Sequence, residues 1–275
     1  MVSITEYPNL QILPAEIVKL HEHHDPQRTE PLFARIREDA ILKNPPLVAP
    51  LSNGGEKYMV LDGANRVTAM KNMGFPHILA QVVDPDSPNV GLNTWNHVIW
   101  NIETNSLIMA IDSIPEISCE PYENEEFVFD DRTAAFMQTP DGPYQKITVT
   151  DADSRSVAIN KIVGAYMGIS RYDRTQIEDL TKIPGMYNNL AALIVYPPFT
   201  IQDVLHFTEQ GKLLPAGVTR FSVAPRALRI NYPLSALTGE GTREEKQAAL
   251  DAFIKERMNL KGVRIYTEPT VLYDE

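Results

Sequence analysis

The segment VLDGANR at residues 60–66 has the most definite chemistry, because it joins a predicted strand to a predicted helix. Gly63 at this turn lets the backbone come close to a ligand, and the amides that open the next helix are suited to holding phosphate. The carboxylate of Asp62 can bind a metal ion, and the guanidinium of Arg66 can pair with phosphate oxygens. The alternative is an ordinary tight turn in which Asp62 caps the helix.

The segment LHEHHD at residues 20–25 places a glutamate among histidines. Glu22 is a candidate general base, since a carboxylate beside a hydroxyl can accept its proton. His21 and His24 are three residues apart, which also allows a zinc or haem site. The spacing of zinc metalloproteases is absent, however, because the residue four after His21 is Asp25. The alternative is an exposed polar turn.

Two further segments contain candidate ligand contacts. Trp95 is either a core residue or the wall of a small-ligand pocket. Residues 210–239 contain no acid, although the chain as a whole is acidic, and this local reversal of charge indicates an anion site. Thr219 and Arg220 offer a hydroxyl and a forked donor there. The bases of this stretch are Lys212, Arg220, Arg226 and Arg229. In the alternative interpretation they are scattered surface residues.

Composition excludes several classes of function. The 275 residues include 36 acids and 25 bases, and a net charge of −11 disfavours a nucleic-acid partner. The single cysteine excludes an intramolecular disulfide and a cysteine-rich zinc module. The first residues lack the basic and apolar pattern of a signal peptide, and no apolar run reaches about 18 residues. We therefore expect a cytoplasmic protein without a membrane span.

The hydrophobic pattern predicts that the chain begins with an α/β unit of about 90 residues. Its helices are expected from Pro26, with Asp25 as the N-cap, and over 64–74. Its strands are expected at 47–51, 57–61 and 77–83, the first two as a hairpin around the turn at 52–55.

The remainder of the chain predicts a second α/β domain. Helices are expected at 155–168, 200–211 and 242–258, a buried strand at 190–196, and one or two strands at 262–273. The segment 94–101 fits either a strand or a short helix. The predicted domains are 1–112 and 113–275, with an acidic connector near 116–131 and a ligand cleft between the domains.

Four motifs in this order resemble the free L-serine kinases of the ParB/sulfiredoxin-like superfamily, which occur in archaea and at a siderophore locus of staphylococci. They are LHE at 20–22, DGxxR at 62–66, TWNH at 94–97 and the PAGVTRF segment that opens 215–234. The closing RIYTEPTVLY is also similar. The resemblance covers nearly the whole chain and is therefore far more specific than DGxxR alone.

This resemblance implies phosphoryl transfer from ATP or ADP to the hydroxyl of free L-serine, giving O-phospho-L-serine. Glu22 would be the general base, and Asp62 would be a second catalytic residue that holds Mg²⁺. The nucleotide contacts would be Asp62, Gly63, Ala64, Asn65 and Arg66. The serine or phosphate contacts would be Trp95, His97, Thr219, Arg220 and Arg226.

The phosphate turn departs from the family pattern at Ala64 and Asn65, where relatives usually carry one or two histidines. If a histidine contacts the transferred phosphate, the amide of Asn65 must replace it. A regulator that senses a nucleotide or metabolite without catalysis is therefore the main alternative. A ParB-like DNA-binding transcription factor is a weaker one, because the chain is acidic and has no helix-turn-helix signal. A sulfiredoxin is disfavoured, because no cysteine lies near residue 62.

Overall fold

The computed structural model describes residues 7–24, 26–51, 56–124 and 126–266. They form a mixed α/β protein, which confirms the predicted fold class. The helices of this part of the chain are α1 (Pro26–Asp39), α2 (Ala64–Asn72), α3 (Thr104–Asp112), α4 (Arg155–Met167), α5 (Ile201–Glu209), α6 (Ser235–Thr238) and α7 (Arg243–Asn259). None of the helices in the described ranges is both long enough and apolar enough to cross a bilayer.

The strands vary from two to six residues in length. They are β1 (Leu10–Pro14), β2 (Val18–Leu20), β3 (Ile41–Leu42), β4 (Leu47–Pro50), β5 (Tyr58–Asp62), β6 (His77–Val82), β7 (Val90–Thr94), β8 (Asn96–Trp100), β9 (Ile117–Tyr122), β10 (Thr133–Gln138), β11 (Tyr144–Val149), β12 (Arg171–Thr175), β13 (Leu190–Val195), β14 (Thr219–Val223) and β15 (Tyr232–Pro233). Short pairs are formed by β7 with β14 and by β3 with β15.

The described residues divide into two compact units. The first unit holds the residues through Leu20, His24–Gly91 and those from Ser222 onward, and the second holds His21–His23 and Leu92–Phe221. This division differs from the predicted domains 1–112 and 113–275. Strand β8 belongs to the second unit because it pairs with β12 and β13, and the end of the chain returns to the first unit.

The first unit contains a five-stranded sheet in the order β1-β6-β4-β5-β2. Strands β4 and β5 are antiparallel, which confirms the predicted pairing, while the turn predicted between them lies outside the described residues. Buried side chains of the sheet and of α2 form the core, which Leu237 and Leu250 of α6 and α7 complete. Helix α7 lies in the predicted segment 242–258 and begins with a capping box, in which Thr242 and Glu245 bond each other's backbone amides.

The second unit contains a six-stranded antiparallel sheet in the order β12-β8-β13-β10-β11-β9. Helix α4 and strand β13 lie where they were predicted, and the undecided segment 94–101 contains strand β8. Helix α5 starts with a capping box between Thr200 and Asp203. These elements bury the apolar side chains of α4 and β13.

Two predictions about elements are wrong in the described residues. The acidic connector near 116–131 contains β9, which pairs with β11 from Ile117 opposite Val149 to Tyr122 opposite Tyr144. Strand β9 lies at the edge of its sheet, where Pro121 is tolerated although a proline argues against a strand in sequence. Residues 262–266 form no strand, and the rest of the predicted final strands lies outside the described residues.

Candidate functional site

The turn at DGANR joins β5 to α2 in the first unit. Asp62 is the last residue of β5, and Gly63 is the N-cap of α2 with φ of 94°. The alternative in which Asp62 caps the helix is therefore wrong, since α2 has no side-chain cap bond. A Cβ on Gly63 would lie 2.9 Å from Arg66 Nε and 3.0 Å from Pro46 Cβ, so glycine is required here.

Two arginines meet at the Asp62 carboxylate. Arg66 Nη2 lies 2.9 Å and Arg226 Nη2 lies 2.8 Å from Asp62 Oδ2. The carboxylate is about half exposed, so these ion pairs add little to stability. Their effect is to hold two forked cations beside the first amides of α2, an arrangement suited to a phosphate chain.

The backbone on both sides of Arg226 is fixed by the buried side chain of Gln81 in β6. Gln81 Nε2 donates to the carbonyl of Pro225 at 2.8 Å, and the amide of Ala227 donates to Gln81 Oε1 at 2.9 Å. Arg226 was predicted as a serine or phosphate contact beside Thr219 and Arg220. The structure instead places it with Asp62 in the first unit, because Gln81 anchors its segment there. Sequence reasoning missed Gln81.

Glu22 lies in the second unit beside the turn that follows α5. The amide of His23 donates to the carbonyl of Leu214 at 2.8 Å, and the amide of Leu214 donates to the carbonyl of His21 at 2.8 Å. This pairing brings the Glu22 side chain, which is 20% exposed, to the amide of Gly217. The amide donates to Glu22 Oε2 at 3.0 Å. One oxygen of the carboxylate is therefore oriented by the backbone.

The histidines around Glu22 do not form a metal site in the described residues. His21 is buried, and its Nε2 lies 2.8 Å from the hydroxyl of Thr219. His23 and His24 are exposed. No group of three or more metal-ligating side chains occurs in the ranges that the structure describes. Because His21 and Thr219 are both buried, the alternative of a simple exposed polar turn is also wrong.

Gly217 occupies the tightest position of this site. Its φ is 79°, and a Cβ at this position would lie 2.0 Å from Cζ of Arg174. Arg174 lies opposite His97 in the pairing of β12 with β8, so strand register brings both side chains to this turn. Sequence reasoning missed Gly217 and Arg174, although the PAGV turn inside the acid-free segment was a usable signal.

Trp95 and Arg220 form the other part of the site in the second unit. The guanidinium of Arg220 lies 4.7 Å from the centroid of the Trp95 ring, within the range of a cation–π contact. Arg220 Nη1 also donates to Oε1 of Gln176 at 2.9 Å. Trp95 is only partly buried, which favours the predicted pocket wall over a core residue.

His97 differs from the prediction that it contacts the substrate. It is fully buried, with Nδ1 2.6 Å from the hydroxyl of Tyr166 and Nε2 3.0 Å from the carbonyl of Gly217. Both ring nitrogens are thus engaged within the protein. Burial lowers the pKa of His97 to about 4, although the Gly217 carbonyl opposes this shift. The imidazole is therefore neutral near pH 7.

This lowered pKa predicts that stability depends on pH. The unfolded chain binds a proton at His97 near pH 6.5, whereas the folded protein does so only near pH 4. The free energy of unfolding should therefore fall by up to about 3 kcal/mol as the pH is lowered through this range. Urea unfolding between pH 4 and 7 should show a flatter pH dependence in His97→Gln than in the parent. An equal pH dependence of unfolding in the two proteins would contradict the lowered pKa of His97.

Known proteins resemble this chain in sequence over different lengths. No protein-family model matches it. It is 24% identical over 278 residues to the ATP-dependent L-serine kinase SbnI of Staphylococcus aureus, with 98% of both chains covered. A shorter match of 36% identity over 75 residues covers 27% of this chain and 29% of an ATP-dependent L-serine kinase from Staphylothermus marinus.

Solved structures share the fold. A C-terminally truncated SbnI from Staphylococcus aureus has a TM-score of 0.74 at 22% identity, covering 91% of this chain and 97% of the other. A mutant free serine kinase in complex with AMP has a TM-score of 0.72 at 16% identity, covering 85% and 95%. At these identities the likeness establishes the fold of the chain. The ParB/sulfiredoxin-like label for its first domain stays a prediction.

Proposed function

We propose that this protein is a free L-serine kinase, which transfers a phosphoryl group from ATP or ADP to the serine hydroxyl and yields O-phospho-L-serine. The observation that carries the proposal is the position of Glu22, whose carboxylate is oriented by the Gly217 amide. The names of the relatives support the same reaction, since a relative that matches over nearly the full length is an ATP-dependent L-serine kinase.

The nucleotide phosphates bind at the start of α2 in this proposal. The amides of Ala64, Asn65 and Arg66 lie in the first turn of the helix, where backbone N–H groups point toward its N-terminus and the helix dipole favours an anion. The guanidinium groups of Arg66 and Arg226 supply positive charge beside them. A solved structure of a mutant free serine kinase contains ADP, which is in keeping with a nucleotide site on this fold.

Magnesium fits this turn through Asp62. Mg²⁺ usually keeps several waters and takes one or two carboxylates together with substrate phosphates, so one half-exposed carboxylate is a sufficient protein ligand. When bound, the ion would neutralise charge on the phosphate oxygens during transfer. Arg66 and Arg226 hold the Asp62 side chain in place for this contact.

Serine binds to the second unit in this proposal. Arg220 rests on Trp95 and bonds Gln176, and this fixed guanidinium is suited to the serine carboxylate. The serine hydroxyl oxygen forms a bond to the terminal phosphorus while the bond from phosphorus to the leaving nucleotide oxygen breaks. The hydroxyl proton passes to Glu22 Oε1, because Oε2 is held by the Gly217 amide. Positioning and charge neutralisation provide most of the catalysis.

Substitutions in the two units should affect the two substrates differently. Trp95→Ala should raise the KM for serine about tenfold and leave the KM for nucleotide within about twofold, because it removes the support of Arg220. Arg226→Ala should do the reverse, because it removes a cation beside α2. Steady-state kinetics with each substrate varied would measure both effects. Arg37→Ala, at an exposed position of α1, is the matched control.

Incubation of the protein with L-serine, Mg²⁺ and either ATP or ADP, with mass detection of O-phosphoserine, tests the proposed function and identifies the donor. Product formation is the expected result. The sequence at Ala64 and Asn65 favours a second candidate, a sensor that binds nucleotide without catalysis. Nucleotide binding without any O-phosphoserine would reject the kinase and support the sensor.

A further inference from the structure

The buried residues behind Gly217 have one arrangement of protons that satisfies them all. A carbonyl oxygen only accepts, so His97 Nε2 must donate its proton to the carbonyl of Gly217. His97 Nδ1 is then an acceptor, and the hydroxyl of Tyr166 donates a hydrogen bond to it. The oxygen of Tyr166 in turn accepts from the hydroxyl of Tyr196, 2.7 Å away. His97, Tyr166 and Tyr196 are buried, so water does not compete for these bonds.

This hydrogen-bond network ends at the backbone carbonyl of Gly217. Gly217 lies at positive φ, where glycine has wide conformational freedom. Its carbonyl is held by His97 and its amide donates to Glu22, so a displacement of this residue would disturb both contacts. Tyr166 belongs to α4, His97 to β8, and Tyr196 directly follows β13. A helix, a strand and the residue after a second strand therefore support the backbone of one turn.

We propose that His97, held as its Nε2-protonated tautomer by Tyr166, is a positioning residue that directs the Gly217 amide at Glu22. This inference rests on the proposed function only for the role of Glu22 as proton acceptor. The neutral imidazole suits the task, since it donates at one nitrogen and accepts at the other. Its effect on the reaction passes entirely through Gly217 and Glu22.

Two substitutions by side chains that carry an amide distinguish a role of His97 as the hydrogen-bond donor at Nε2 from a role in packing alone. In His97→Gln the side-chain amide reaches the position of Nε2 and can donate to the Gly217 carbonyl, whereas in His97→Asn it reaches only the position of Nδ1. His97→Asn should lower kcat about tenfold with the KM for nucleotide nearly unchanged, and His97→Gln should recover a large part of this loss. Equal losses in the two variants would overturn the inference.

A double-mutant cycle tests whether His97 acts through Glu22. In a Glu22→Gln background, His97→Asn should cause little further loss of the residual turnover, because the contact it supports has already lost its function. Independent, multiplying losses would indicate a general structural role and overturn the inference. Tyr166→Phe, which removes only a hydroxyl, provides a milder variant if His97→Asn does not fold.

Hydrogen exchange of the Gly217 amide tests whether His97 positions this amide, and the measurement requires no enzymatic activity. Exchange measured by NMR should be faster in His97→Asn than in the parent, because the amide loses its fixed direction toward Glu22, and His97→Gln should stay close to the parent. Unchanged exchange in His97→Asn would overturn the inference. A parent protein that makes no O-phosphoserine would reject the proposed function instead, while the exchange result would still stand for or against His97.

Discussion

Glu22→Gln is expected to lower turnover by about 10²-fold or more, the usual loss when a general base is removed. The glutamine amide has nearly the shape of the carboxylate, and its oxygen can still accept from the Gly217 amide 3.0 Å away. It cannot accept the serine proton, however, so the chemical step loses its base while the site keeps its form. Nucleotide affinity should be unchanged, because the proposed nucleotide contacts are the turn at 62–66 and Arg226 rather than Glu22.

Single-turnover formation of O-phosphoserine would measure this effect without interference from product release. Glu123→Gln is the matched control, since it makes the same chemical change at an exposed position of the second unit and should leave turnover unaffected. A Glu22→Gln protein with turnover within about threefold of the parent would remove Glu22 from the role of base.

Gly217→Ala is expected to lower turnover by about 10²-fold, because misplacement of a catalytic group by about 1 Å has effects of this size. The added Cβ would lie 2.0 Å from Cζ of Arg174, so either the guanidinium or the turn must move. The side chain of Arg174 is flexible, so the fold should tolerate the change. The amide that orients Glu22 and the charge beside His97 should both be displaced.

Gly211→Ala separates this clash from ordinary backbone strain. Gly211 has a similar φ of 70°, but a Cβ there would have no neighbour within 4 Å. Both variants should lose about 1–2 kcal/mol of stability from the left-handed backbone, and only Gly217→Ala should lose turnover. Equal turnover of the two variants, measured beside their urea unfolding curves, would show that the packing of Gly217 against Arg174 has no part in catalysis.

Local signals in the sequence predicted much of the fold. Helices α5 and α7, the pairing of β4 with β5, and the helix after Gly63 all depend on residues close together in the chain. Strand β8 stayed ambiguous because its polar residues Asn96 and His97 are buried through hydrogen bonds that no local pattern reveals.

Long-range structure was the part that the sequence did not reveal. The return of the chain from Ser222 to the first unit is supported by Gln81, which bonds the backbone on both sides of Arg226 from 145 positions earlier in the chain, and by the pairing of β15 with β3. The site shows the same limit. Motifs predicted Glu22 and Asp62 as site residues, whereas Gly217 contacts Glu22 through its backbone amide and carries no side-chain signature. The cleft predicted between the domains stays a prediction.

The central claim is that phosphoryl transfer goes to L-serine, and the stoichiometry of the reaction tests it most directly. With L-serine, Mg²⁺ and the preferred nucleotide, we expect one O-phosphoserine for each nucleotide consumed, and little consumption when serine is omitted. Both quantities can be followed by mass spectrometry in one time course. Nucleotide consumed to inorganic phosphate without O-phosphoserine, or nucleotide bound and never consumed, would contradict the account.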